Sequence, residues 1–157
     1  MSYRMIFKIN GLVLLCLAVL MLMPLIAGLC FGEDVLSFVI SIAVSAAAGG
    51  LLASLRPKTR QIYARDGFVA VGLVWITMSL IGALPFVLNG DVSSYIDAFF
   101  ETVSGFTTTG ASVFTDIESL SRANMFWRLF THWIGGMGVL VFLLAFTGGK
   151  GQGFTMH

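Results

Sequence analysis

The stretch S-G-F-T-T-T-G-A-S, residues 104–112, lies between two strongly apolar segments, yet it holds five hydroxyl side chains, two glycines and no charge. A nucleophilic serine would need a base, and Ser104 or Ser112 with His132 would be the only dyad on offer. Thr102, however, stands where a G-x-S-G motif puts its first glycine, and no spacing brings His132 to either serine, so an enzyme reading is set aside. A re-entrant or interfacial loop whose threonines satisfy their own backbone is a second reading. The third is a set of oxygen ligands for a dehydrated monovalent cation. In it the backbone carbonyls of Thr107, Thr108, Thr109, Gly110 and Ala111 replace water, and Gly110 keeps its carbonyl inward with no side chain in the path. The run has no carboxylate, which would hold the ion tightly and favour divalents. Residue types alone leave these last two readings open.

The surroundings favour a membrane. Of 157 residues 57% are hydrophobic and only 11% charged, far from the balance of a soluble domain. No charge falls between Lys8 and Glu33, Asp34 and Arg56, Asp66 and Asp91, or Arg128 and Lys150. A helix needs roughly 20 apolar residues to cross a hydrocarbon core, and spanning helices are expected over 8–31, 35–55, 67–88 and 123–147. The first run is longer than a signal-peptide core and is read as a retained helix. Pro24 and Pro85 should bend or finish their helices. Arg4, Lys8, the R-P-K-T-R-Q-I-Y-A-R-D linker and Lys150 lie on one side, and most acidic loop residues on the other. By the positive-inside rule both termini are cytoplasmic.

Between Asn89 and Ala123 the chain is too polar to span twice. Ser94 and Asp97 resemble a capping box, and Tyr95, Ala98, Phe99, Val103 and Phe106 give a short helix an apolar surface. This helix is expected to run from Ser94 toward Ser104, with Gly105 ending it and the β-branched threonines continuing as a strand-like loop. Non-helical backbone at membrane depth must be buried in protein or line a watery cavity. The helix C-terminus aims partial negative charge at the same place.

The segments F-F-E-T-V-S-G-F-T-T-T-G-A-S-V-F-T-D-I-E-S-L (99–120) and N-M-F-W-R-L-F-T-H-W-I-G-G-M-G-V-L-V-F (124–142), with the opening M-S-Y-R-M-I-F-K-I-N-G-L-V-L-L, resemble the TrkH/KtrB/HKT superfamily of cation-translocating membrane subunits, most closely the TrkH-type potassium uptake proteins. The resemblance implies an all-α polytopic membrane protein with two N-terminal transmembrane helices (1–60) and one M1-P-M2 pore repeat (61–157). M1 falls near 67–88, the pore helix near 94–105 and M2 near 123–147. It implies potassium as the transported ion, held through Thr108, Thr109 and Gly110 within the filter run Thr107–Ala111, with Gly105, Ser112 and Arg128 supporting the loop and no organic cofactor. It further implies a bacterial inner-membrane location, homodimers, and a cytosolic nucleotide-binding regulatory subunit of the TrkA/KtrA type. Members carry four repeats around one pore and this chain holds one, so an N-terminal fragment contributing the first loop is expected. A non-conducting scaffold and a single-repeat homotetrameric cation channel are the other readings.

Several features are read as structural. Ser37, Ser41, Ser45, Gly49 and Ala53 form a ridge of small residues at four-residue spacing for helix packing. Arg128 should brace the pore loop through carbonyls or carboxylates, and His132 should pack and hydrogen-bond. W-I-G-G-M-G (133–138) permits close helix approach. Cys16 and Cys30 cannot meet on one helix and are expected as buried apolar thiols. Asp91, Asp97, Glu101, Asp116 and Glu118 are read as outer-loop carboxylates. G-G-K-G-Q-G (148–153) lacks the spacing of a phosphate loop. With a net charge of +1 and no basic stripe, nucleic acid is set aside.

Overall fold

The computed structural model describes residues 3–55 and 64–147. Most of the basic linker, Lys150 and the 148–153 glycine run lie outside the described residues. Among the described residues all regular structure is helical. Helices α1 (Tyr3–Leu20) and α2 (Leu22–Cys30) form the first apolar span, interrupted at Met21. Pro24 has no N–H for the Leu20 carbonyl, which accounts for the interruption just before it. The same device divides the third span into α4 (Ala64–Gly82) and α5 (Leu84–Leu88), where Pro85 sits within the first turn of α5. Helix α3 (Leu36–Ala53) is unbroken. These three spans, Tyr3–Cys30, Leu36–Ala53 and Arg65–Leu88, are long and apolar enough to cross a membrane. A short helix α6 (Tyr95–Phe106) and a 26-residue helix α7 (Arg122–Thr147) complete the described residues; α7 covers the fourth expected span, 123–147, but is not among the three helices apolar enough to cross.

The small-residue ridge packs α3 onto α1. Ser37, Ser41, Ser45 and Gly49 are buried, and the Ser45 hydroxyl crosses to donate to the Leu14 carbonyl at 2.7 Å, while Ser41 bonds back to Ser37. A Cβ at Gly11 would stand 2.7 Å from the Leu52 Cβ and 2.8 Å from the Gly49 carbonyl oxygen, so the two backbones nearly touch. Asn10, buried on α1, accepts a hydrogen bond from Thr77 of α4 at 2.7 Å. That bond ties the N-terminal pair to the third span.

The core gathers around Trp127 of α7, which is completely buried. Its ring meets Phe38 of α3 and Phe106 of α6 edge-on, at centroid distances of 6.5 and 6.2 Å. Its indole N–H donates to the Gly82 carbonyl at 2.9 Å, at the α4–α5 break. The thiols depart from the sequence expectation: Cys16 and Cys30 are both free and exposed on the helix surface. Lipid is as apolar as a protein core, so the outward face of a spanning helix accepts a thiol as readily.

Gly11→Val is expected to destabilise the protein by about 1–3 kcal/mol through overpacking at the α1–α3 crossing. Gly50→Ala, on the open side of α3 with nothing within 4 Å of the new methyl, should stabilise it by about 0.5–1 kcal/mol. Unfolding midpoints in mixed detergent read both. Equal midpoints for the two variants would rule out the close crossing.

Candidate ion-filter loop

The loop is built from the helix that precedes it. Ser94 is the N-cap of α6 in extended conformation, but its hydroxyl makes no capping bond, so the expected capping box is not formed. The helix is held instead from its sides. Around the α4–α5 break, side chains of other helices donate to main-chain carbonyls of the third span, two of which, Ser79 and Pro85, also accept the Ala83 and Asn89 N–H groups. Thr102 donates to Ser79 at 2.9 Å and Tyr95 to Leu80 at 2.5 Å, both from α6, while Trp127 occupies Gly82. Asn124 of α7 reaches Pro85 at 3.4 Å and also donates to the Asp91 carboxylate.

Glycines set how closely α6 meets α7. Gly105 does not end the helix, which continues to Phe106; it makes room for Thr131, whose Cβ would lie 3.0 Å from a Cβ at 105. Gly135, within the 133–138 glycine segment, seats the Phe106 main chain, with that carbonyl carbon 2.7 Å from where a Cβ would stand.

Helix α6 ends in a Schellman motif. The Thr108 N–H donates to the Gly105 carbonyl and the Thr109 N–H to the Ser104 carbonyl, both at 2.9 Å. The residue at the left-handed position, usually glycine, is Thr108 with φ +57°. A β-branched residue there is strained by about 1–3 kcal/mol, and such strain collects at functional sites. The threonines therefore begin as a turn rather than the expected strand-like run: Thr107 and Thr108 form it, bridged above by a 2.8 Å contact between the Thr107 and Thr109 hydroxyls. Gly110 follows with φ +79°. Thr107, Thr108, Thr109, Gly110 and Ala111 are all exposed, and among the described residues the carbonyls of Thr107 to Gly110 accept no hydrogen bond. Four free carbonyls in succession can serve as ligands for a cation.

The returning arm of the loop is fixed to a buried carboxylate. The Glu101 side chain, 1% exposed, forms an ion pair with Arg128 of α7, Nε to Oε1 at 2.5 Å. Its Oε2 accepts the Val113 N–H and the Ser112 hydroxyl, each at 3.0 Å. The Ser112 oxygen in turn accepts the Phe114 N–H at 3.1 Å. Ser112 and Arg128 thus come together on Glu101, which is a buried, paired carboxylate and not the outer-loop one expected from sequence. An arginine in an apolar helix demands a carboxylate, and Glu101 is the acidic residue nearest the polar run. That charge accounting was the available signal. Asp91, Asp97 and Asp116 line a cavity of about 280 Å³ with Ser93, Thr115 and Ser119.

His132 accepts no serine. Its Nδ1–H donates to the Arg128 carbonyl at 2.9 Å, while the Ser104 hydroxyl donates to Ala111 and Ser112 is committed to Glu101. A further anchor went unseen in the sequence. The Glu33 carboxylate, from the α2–α3 turn, accepts the Arg122 and Ala123 N–H groups at 2.8 and 2.9 Å, capping the N-terminus of α7 from 89 residues away. The Arg122 guanidinium lies over the Phe31 ring at 4.9 Å, closing the same joint.

A family model described as TrkH, cation transport protein, matches residues 35–153. The Trk system potassium uptake protein TrkH of Halomonas elongata is 37% identical over 148 residues, covering 92% of this chain and 31% of that protein. The Trk system potassium uptake protein TrkG of Escherichia coli K12 is 34% identical, with 90% and 30% covered. The crystal structure of the potassium transporter TrkH from Vibrio parahaemolyticus superposes with a TM-score of 0.87 at 34% identity, covering 99% of this chain and 34% of that one. The chain spans about a third of the length of these relatives.

Removing one partner of a buried ion pair leaves an uncompensated charge, so Glu101→Ala and Arg128→Ala should each destabilise by about 3–5 kcal/mol. The apolar pair Glu101→Leu with Arg128→Met should recover part of that loss, since no charge is left unpaired, but not all of it, since the Ser112 hydroxyl and the Val113 N–H lose their acceptor. Detergent unfolding of the single and double variants measures the coupling, and additive losses would contradict a direct pair.

Proposed function

Because the chain belongs to the TrkH family of cation transport proteins, we propose that it supplies one loop of a filter through which potassium is taken up across the bacterial inner membrane. What supports this most is the run of free carbonyls from Thr107 to Gly110 at the C-terminal end of α6. Thr108, Thr109 and Gly110 are its central residues, and Ala111 closes the exposed segment. Gly105, Ser112 and Arg128 hold it in place. Such carbonyls replace the hydration shell of a monovalent cation, and the helix dipole adds partial negative charge without a carboxylate. Glu101 adds no free charge to the path, because Arg128 neutralises it.

An exposed loop at membrane depth cannot face lipid. Beside it, Ile96 and Phe100 leave an apolar stripe on α6, Ile96 being 76% exposed. Further M1-P-M2 units fit there, and by family resemblance these are the remaining three repeats of a longer chain around one pore. In this reading the assembly pairs as a homodimer, binds a cytosolic nucleotide-binding regulatory subunit, and keeps both termini cytoplasmic. The same stripe would equally serve three identical copies of this chain.

Rubidium and sodium uptake into potassium-uptake-deficient bacteria tests the filter. With the full set of repeats present, Gly110→Ser is expected to lower rubidium over sodium discrimination about tenfold, a loss of about 1.4 kcal/mol, since a side chain at φ +79° forces the loop to rearrange. Unchanged discrimination counts against the assignment. Expression of these 157 residues alone separates the readings: uptake supports a homotetramer, and its absence with the protein inserted supports a requirement for the other repeats. In a variant with Cys16 and Cys30 replaced by alanine, an Asn89→Cys label should react with an impermeant maleimide from outside the cell. Reaction only after lysis would invert the topology.

A further inference from the structure

One residue of α6 holds three successive residues of the loop. The Ser104 carbonyl accepts the N–H groups of Thr109 at 2.9 Å and Gly110 at 3.4 Å. Its hydroxyl donates to the Ala111 carbonyl at 2.6 Å. The first two bonds use main-chain oxygen and would form with any residue at 104. The third requires the hydroxyl.

That third bond is unusual for a helical serine, which ordinarily donates to the carbonyl one turn back. Thr107 behaves that way, donating to Val103 at 2.7 Å, and Thr102 has the Ala98 carbonyl at 3.0 Å beside the Ser79 carbonyl of α4 at 2.9 Å. Ser104, 4% exposed, reaches forward instead, across the turn to a residue beyond Gly110. The Ala111 carbonyl is therefore drawn back toward α6. Among the described residues it is the one carbonyl in the run 107–111 that accepts a hydrogen bond.

We propose that Ser104 is a positioning residue that ends the ion-coordinating run, withholding the Ala111 carbonyl from the ion path so that the ligands from this loop are the four carbonyls of Thr107 to Gly110. This rests on the filter reading above. The number and orientation of carbonyl dipoles set how a filter weighs one monovalent cation against another. A loop whose Ala111 carbonyl is released presents a fifth, unrestrained oxygen and discriminates less.

The test compares Ser104→Ala, Ser104→Thr and Gly110→Ser in the protein with all its repeats, as rubidium and sodium uptake at matched membrane abundance. Ser104→Ala is expected to lower the rubidium to sodium ratio about tenfold while retaining total cation flux, and Ser104→Thr, which restores a donor, should stay within about twofold of the native ratio. A native ratio in Ser104→Ala overturns the proposal, as does a Ser104→Thr ratio as low as that of Ser104→Ala, which would mean that side-chain shape matters and the hydroxyl does not. If Ser104→Ala fails to insert, Ser104→Cys, close to serine in volume but a weak donor, is read in its place with the same two outcomes. Should Gly110→Ser alter the ratio and Ser104→Ala leave it unchanged, only the positioning role is lost. Should neither alter it, the filter reading itself falls.

Discussion

Glu101 lies where neither water nor lipid can solvate a charge, so its carboxylate must be satisfied by protein. The groups that satisfy it come from the elements that have to be held together: Arg128 from α7, and Ser112 with the Val113 amide from the returning arm of the loop. A buried ion pair is a poor source of net stability, because desolvation offsets much of the attraction. Its directional bonds specify geometry instead. Here they fix the loop against the rigid face of two helices, while leaving the carbonyls of Thr107 to Gly110 unengaged on the other side.

A second constraint works through a break in a helix. Pro85 interrupts the hydrogen-bond ladder of the third span, and carbonyls near the break become acceptors for side chains of other helices. Thr102 and Tyr95 from α6 and Trp127 and Asn124 from α7 use them. A proline break thereby becomes a docking point for the short helix. In an apolar medium, where hydrophobic burial drives little association between helices, such bonds and close packing decide the arrangement. Gly105 and Gly135 supply the close packing, since each removes a side chain where α6 and α7 would collide.

The joint at the start of α7 follows the same logic at longer range. The first amides of α7 have no intrahelical partner, and Glu33 satisfies two of them from the α2–α3 turn while Ser121 takes the Asn124 amide at 3.2 Å. The N-terminal pair of helices is thus fastened to the helix that carries Arg128. Loop, short helix and scaffold are linked by bonds to helix ends and helix breaks.

The sequence by itself determined the approximate limits of three apolar spans, because length and absence of charge are local properties that a bilayer reads directly; the fourth expected span, 123–147, forms helix α7 but is not among the described helices long and apolar enough to cross. It also determined the helix interruptions near Pro24 and Pro85, the packing ridge from Ser37 to Gly49, and the position of the polar run, each carried by residue type and spacing. The tertiary structure alone decided which polar groups meet. Nothing local assigns Glu101 to Arg128 rather than to solvent, turns the Ser104 hydroxyl forward to Ala111, or brings Glu33 to the start of α7. Thr108 shows the limit most clearly: its β-branched side chain prefers extended backbone, yet the Schellman bonds and the anchors on either side impose a left-handed turn. Local preference was outweighed there by contacts between residues far apart in the chain, and those contacts exist only once the helices have packed.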